Sequence, residues 1–173
     1  HYEPENNKLE LGLTVITALG VATMLAPGVF VWAKFIDVPT NAHTIEAIGQ
    51  QWQWQFRLPG NDGKLGRSHV RFITEQNPFG LDLSDPAAQD DQLVPFNEIH
   101  LPVNKPVKVL LRSKDVLHNF AVPQFRVKMD LVPGMVTYIW FTPTKKGTYE
   151  ILCEELCGLA HHTMRGRVVV EEE

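Results

Sequence analysis

From Leu11 to Ala33 the chain runs 23 residues without one ionisable side chain, between Glu10 and Lys34. Wound as a helix, that run reaches roughly 35 Å, enough to cross a hydrocarbon core of about 30 Å. Gly12, Gly20, Pro27 and Gly28 would weaken an exposed soluble helix, whereas membrane helices tolerate them. Thr14, Thr17 and Thr23 can bond back to the helix backbone or to a neighbouring helix, and Trp32 beside Lys34 suits an interfacial anchor. The competing reading, a buried core helix of a soluble protein, is weakened by the length of the run and its lack of polar punctuation. Lys8 and Lys34 balance each other, so the charges set no orientation. Position 1 is His rather than Met and no signal-peptide layout is visible, so His1 reads as a boundary, not a natural start.

After Asp37-Val38-Pro39-Thr40 the composition becomes that of a soluble β protein. Runs rich in Val, Ile, Thr and aromatics predict strands at Thr44–Phe56, Ser68–Thr74, Pro106–Arg112, Val136–Phe141, Thr148–Leu152 and Arg167–Glu171. Asn61-Asp62-Gly63 is a turn signal, and the Pro-bearing stretches around Pro95 and Pro102 read as loops. No long helical period follows Phe35, and there is no internal repeat. Short strands without intervening helices predict a mainly β sandwich or Greek-key barrel. The chain thus divides into a pre-membrane segment, 1–10, a transmembrane helix, 11–35, and a β domain, 36–173.

Formal net charge is −4, from 16 Lys+Arg and 20 Asp+Glu, which argues against a nucleic-acid partner held by a global positive field. From Phe72 to Asn104 there is no Lys or Arg, but there are Glu75, Asp82, Asp85, Asp90, Asp91 and Glu98. This stretch is either a solvated acidic loop or a surface that steers a basic partner.

The chemistry is concentrated in Cys153-Glu154-Glu155-Leu156-Cys157-Gly158-Leu159-Ala160-His161-His162-Thr163-Met164, where two thiols, two imidazoles and a thioether fall within 12 residues. A structural zinc site would want a second closely spaced ligand pair. A Cys153–Cys157 disulfide would leave His161 and Met164 unexplained. Soft sulfur ligands beside imidazole favour copper. Upstream, His118 in Asp115-Val116-Leu117-His118-Asn119-Phe120 opens a predicted strand. A lone His there is by default a half-buried core residue. Its place ahead of Cys153-x3-Cys157-x3-His161-x2-Met164, with 34 residues between, lifts it above that default.

The whole pattern resembles the binuclear copper (CuA) domain of cytochrome c oxidase subunit II. Asn7-Lys8-Leu9-Glu10 opening an apolar helix is similar to the start of that family's second transmembrane segment. Gly49-x-Gln51-Trp52-x-Trp54 is similar to its aromatic stretch, with Gln53 where an aromatic is common. Lys128-Met129-Asp130-Leu131-Val132-Pro133-Gly134 and Pro143-x3-Gly147-Thr148-Tyr149 extend the likeness over nearly the whole chain from Asn7 onward. The resemblance implies a cupredoxin-like Greek-key β-barrel preceded by one transmembrane helix. It implies two copper ions bridged by Cys153 and Cys157, with His118 and His161 as terminal ligands. Met164 and the carbonyl of Glu155 would be the weak ligands. It further implies Mg2+ held through the Glu155 carboxylate at the boundary with the catalytic subunit, and electron entry from cytochrome c at Trp52. His162, one residue off the motif spacing, is implied to be a supporting or surface group.

The implied function is electron transfer from cytochrome c to haem in subunit I of a haem–copper oxidase, where O2 is reduced to water. Further subunits and membrane lipid would be partners. The expected location is the bacterial inner membrane with the copper domain periplasmic, or the mitochondrial inner membrane facing the intermembrane space. Ligation needs deprotonated Cys and neutral His, so copper loading is expected to weaken as pH falls. The alternatives are the CuA subunit of a nitric-oxide or nitrous-oxide reductase, or, from another class, a membrane-anchored copper-delivery protein.

Overall fold

A computed structural model describes residues 4–94 and 97–172. Pro95, read above as part of a loop, lies outside the described residues, as do His1 and Glu173. The chain forms two compact units, His1–Val38 and Pro39–Glu173.

The first unit is helix α1, Asn7–Ile36, long and apolar enough to cross a membrane. Asn6 starts it, its side-chain oxygen accepting from the Leu9 N–H at 3.2 Å, which satisfies one of the free donors of the first turn. Pro27 sits inside the helix and has no N–H to donate. Four residues earlier, the Thr23 hydroxyl donates to the Leu19 carbonyl at 2.8 Å, the back-bonding expected of a threonine in an apolar span. None of the helix's residues is buried, so its Leu, Val and Phe side chains require an apolar surrounding that the chain does not itself supply.

The second unit contains two five-stranded sheets packed around one core. The first consists of β1 (His43–Gln50), β2 (Gln53–Leu58), β3 (Gln92–Val94), β5 (Val107–Ser113) and β8 (Thr137–Phe141), in the order β3-β2-β1-β5-β8. The second consists of β4 (Glu98–Pro102), β6 (His118–Val122), β7 (Val127–Leu131), β9 (Gly147–Cys153) and β10 (Arg165–Glu171), in the order β4-β10-β9-β6-β7. Two parallel pairings, β1 with β5 and β4 with β10, give the sheets their crossed connectivity. Strand alternation is clean where one face is wet. Val107, Val109 and Leu111 of β5, and Gly166, Val168 and Val170 of β10, point inward while their neighbours are more exposed. The inward residues meet Trp54, Phe56, Ile99, Phe120, Leu131, Ile139 and Ile151 in a single cluster, which also contains Cys153, Cys157 and Met164. The sulfurs of Cys153, Cys157 and Met164 are therefore part of the core.

Three readings from the sequence need correction. The run Thr44–Phe56 is two strands, not one, folded back on each other at Gln51–Trp52 with Gly49 opposite Trp54. Both were read as one because Ile45 to Gly49 is buried without alternation. A 59–91 excursion covers the outer face of β1 with Phe79, Leu81 and Ala88 against Ile48. Ser68–Thr74 is not a strand. Its Val70 is 72 % exposed, and the chain makes a 3-10 turn at Val70–Phe72 closed by His69 Nδ1 accepting from the Arg71 N–H. Its β-rich composition finds only an isolated bridge, Ser68 to Leu81. Pro102 ends β4 rather than lying in a loop, placed where its missing N–H costs least.

The excursion also uses up much of the acidic charge. Arg57, 3 % exposed, pairs with Glu46 at 2.7 Å and Asp91 at 3.1 Å, and Arg112 reaches Glu46 at 2.8 Å. Arg67 binds Asp82 and Asp85, and Glu98 faces Arg167 and His100. Four of the six acidic residues between Phe72 and Asn104 are thus matched within the chain, so the stretch is a pinned excursion with a weaker outward field than its sequence alone indicates.

Candidate metal centre

His118 begins β6, a strand whose five residues are all buried. Phe120 and Val122 enter the core. The Asn119 side-chain Nδ2 donates to Asp130 Oδ1 at 2.6 Å, and the Asn119 backbone carbonyl accepts from the Glu154 N–H. Gly49 leaves room for the His118 ring: a methyl there would lie 3.2 Å from His118 Cδ2. Trp54 meets the ring edge-on, with centroids 6.4 Å apart.

Cys153 is the last residue of β9, and the chain then loops through Glu154–Met164 back into β10. The loop is stitched by bonds from the His161 N–H to the Gly158 carbonyl, the Met164 N–H to the His161 carbonyl, and the Cys153 N–H to the Met164 carbonyl. These contacts bring the donor atoms together. The two Sγ atoms are 3.7 Å apart, and His118 Nδ1 lies 3.9 Å from Cys153 Sγ. His161 Nδ1 lies 3.5 Å and Met164 Sδ 3.9 Å from Cys157 Sγ, while the Glu155 carbonyl lies 3.2 Å from Cys153 Sγ. His118, Cys153 and Cys157 present ligand atoms all within 4.8 Å of one another.

Burial alone would raise both thiols. For Cys153, bonds with the His118 ring, the backbone at Asn119 and Glu155, and the Cys157 sulfur outweigh it and bring the group down to about 6. Burial and the neighbouring Cys153 sulfur push Cys157 up to about 12. Two sulfurs this close cannot both ionise easily, so one is drawn down and the other held up. Burial works against protonation of His118, but the bonds to Cys153 and Asp115 prevail and raise it above its ordinary value.

Every residue named above as a copper ligand contributes an atom to this cluster. Glu155 does so through its carbonyl, and its side chain is half-buried. His162 is exposed, while His161 is half-buried and turned onto Cys157. The two tryptophans part company. Trp54 is fully buried core, whereas Trp52 is half-buried in the β1–β2 turn, its Nε1–H donating to the Cys157 carbonyl at 3.3 Å. Sequence reasoning missed Asp115, whose Oδ1 lies 2.7 Å from His118 Nε2. A carboxylate bonded to one ring nitrogen fixes the orientation of the other, and the position of Asp115 three residues before His118 is the available signal.

The model of the periplasmic domain of cytochrome c oxidase subunit II matches residues 43–172. The chain belongs to the cytochrome c oxidase subunit II family. The alternative cytochrome c oxidase subunit 2 of Bradyrhizobium diazoefficiens is 59 % identical over 172 residues, 99 % of this chain and 62 % of that protein. Cytochrome c oxidase subunit 2 of Pneumocystis carinii is 32 % identical over 163 residues, 94 % of this chain and 65 % of that protein. The chain thus spans just under two-thirds of the length of these subunit II relatives. The crystal structure of the periplasmic domain of subunit II from Bradyrhizobium japonicum is 33 % identical with a TM-score of 0.57. That match covers 79 % of this chain and 89 % of that one. The mainly β, cupredoxin-like architecture expected from the sequence is the one found, and copper is the metal that the subunit II family implies.

The donor chemistry fits that metal. Two thiols, two imidazoles, a thioether and a carbonyl converge in a mostly buried pocket, a soft set of the kind copper selects over hard cations.

Proposed function

We propose that this chain is the copper-bearing electron-transfer subunit of a respiratory haem–copper cytochrome c oxidase, taking electrons from cytochrome c and passing them to haem in the catalytic subunit that reduces O2. The observation that carries the reading is the convergence of the six donors on the paired Cys153 and Cys157 sulfurs. Cys153 and Cys157 would bridge two coppers, His118 and His161 would bind one each, and Met164 and the Glu155 carbonyl would bind weakly. When bound, the pair supplies a one-electron site in which the electron is shared across both metals, so little rearrangement accompanies its reduction.

The chain's own residues do the rest. The sheets hold Cys153 and His118 on neighbouring strands, where neither can move without disturbing the core. Met164 and Cys157, 1 % and 2 % exposed, keep water from the sulfurs. Asp115 fixes the His118 ring through Nε2 and leaves Nδ1 toward the sulfurs. Trp52 stands at the rim, bonded to the backbone of Cys157, and is the proposed entry point for electrons. Leu156 and Leu159 on the ligand loop, with Leu117 before His118, give that rim an apolar surface suited to a transient protein donor. The Glu155 carboxylate is the proposed contribution to a Mg2+ site shared with subunit I. Helix α1 is the proposed membrane anchor, placing the protein among lipid in a bacterial inner membrane with the copper domain in the periplasm, and the helix's lack of buried residues supports this.

Two experiments on the full chain in detergent test the reading. Loaded with copper, it should bind two ions per chain and show one unpaired electron shared equally between both nuclei by EPR, and His118→Ala should lose that signal. A one-copper spectrum, a zinc-filled site or a disulfide that resists metallation would return the protein to copper delivery or a structural role. Trp52→Phe should keep the copper content but slow electron uptake from reduced cytochrome c. Unchanged uptake would move electron entry elsewhere.

A further inference from the structure

Gln51 has no part in the function proposed above, yet it is bonded toward both halves of the site. It opens the turn between β1 and β2. Its backbone N–H donates to Asp115 Oδ2 at 2.7 Å, and its side-chain Nε2 donates to the Cys157 carbonyl at 2.8 Å. The other Asp115 oxygen lies 2.7 Å from His118 Nε2 and also accepts from the Val116 N–H. One residue therefore ties the turn to His118 through a single carboxylate, and to Cys157 directly.

The ligand loop is shaped for this contact. Gly158 has a φ of +120°, and a methyl at that position would stand 2.8 Å from Gln51 Nε2 and 3.1 Å from Trp52 Cζ2. Only glycine lets the loop carbonyl come so close to the turn at this backbone angle. The Cys157 carbonyl consequently receives two donors, Gln51 Nε2–H and Trp52 Nε1–H. Two N–H dipoles directed at the backbone of one sulfur ligand, beside a buried pocket of low dielectric, favour the more electron-rich state of that site.

We propose that Gln51 is a positioning residue for the metal centre: it holds Cys157 and, through Asp115, His118 in fixed relation, and it raises the reduction potential of the site. The turn that carries Trp52 is then a tuning element as well as a contact for the donor. This rests on the copper reading above.

The test compares the full chain with Gln51→Met, which keeps the side chain's length and removes the donor. With copper loaded, the variant should hold the same amount of metal. Its equilibrium constant for reduction by a fixed mediator should fall about fivefold, the equivalent of one ordinary hydrogen bond, with altered EPR hyperfine splitting. In the metal-free chain, the Gly158 amide resonance should shift by NMR, a readout that needs no copper, while the His118 ring, tied through the Gln51 backbone N–H that the variant keeps, should stay in place. An unchanged reduction equilibrium overturns the proposal whatever the resonances do. If the variant loses copper, a displaced Gly158 resonance supports the positioning role and an undisturbed one overturns it. If the unaltered chain itself takes up no copper, the copper reading fails, and the NMR comparison still decides whether the Gln51 side chain positions Cys157.

Discussion

Cys157→Ser should reduce the copper content from two ions per chain to at most one and abolish the shared-electron EPR signal, while leaving the β domain folded. Cys157 Sγ is the hub of the cluster, lying 3.7 Å from Cys153 Sγ, 3.5 Å from His161 Nδ1 and 3.9 Å from Met164 Sδ. A serine hydroxyl is hard and does not ionise at working pH, so it cannot replace a thiolate that bridges soft metal ions. His118 and Cys153 would remain together, which is why one copper can stay. The structural cost is small by comparison. Cys157 is 2 % exposed, and burying a hydroxyl there costs about 1–3 kcal/mol by the mutational scale. Leu156→Ser on the same loop is the control, since Leu156 is 78 % exposed and its side chain is not among the donors named above. Elemental analysis of copper per chain, with EPR and circular dichroism on the same samples, reads the result. Retention of two coppers and the shared signal in Cys157→Ser would show that the sulfurs do not bridge the metals.

That hub was legible in the sequence because its parts are close in sequence. Cys153, Cys157, His161 and Met164 lie on one loop, so the sequence shows four candidate donors close together, to which the resemblance to subunit II gives ligand roles, and helix α1 announces itself by 23 residues without an ionisable group. The strands of β5, β8, β9 and β10 were legible for a related reason: each shows alternation or a bounded run of Val, Ile and aromatics. What the sequence hid depends on partners far along the chain. The turn that splits Thr44–Phe56 into a hairpin is held by Asp115, which accepts from the Gln51 N–H, and by the Cys157 carbonyl, which accepts from Trp52 Nε1, and no local pattern contains those contacts. The acidic stretch looked like free charge because Arg57, Arg67 and Arg167, which neutralise most of it, lie outside it. Gln51 and Asp115 are 64 residues apart and meet only once β1 and β5 pair in parallel.

Trp54→Ala should destabilise the metal-free protein by about 3–5 kcal/mol, the range for removing a fully buried tryptophan. Trp54 is 0 % exposed and belongs to the cluster between the two sheets, with the Phe120 ring edge-on at 5.7 Å. Gly166 is small enough to admit it, since a methyl there would lie 3.1 Å from Trp54 Cδ1. Its backbone N–H is also held, by Asn97 Oδ1 at 2.6 Å, so the strand stays fixed and cannot collapse into the space left behind. For a β domain of this size the loss corresponds to a fall in Tm of about 10–20 °C, measurable by thermal melts of the full chain in detergent. The second consequence distinguishes Trp54 from an ordinary core residue. The indole also packs edge-on against the His118 ring, so the vacated space opens beside a proposed copper ligand. Copper affinity should therefore fall along with stability, and Trp54→Phe, which restores much of the volume, should recover most of both. A variant that lost stability but bound copper as tightly as before would show that Asp115 and Gly49 suffice to hold the imidazole, and that the tryptophan serves the fold alone.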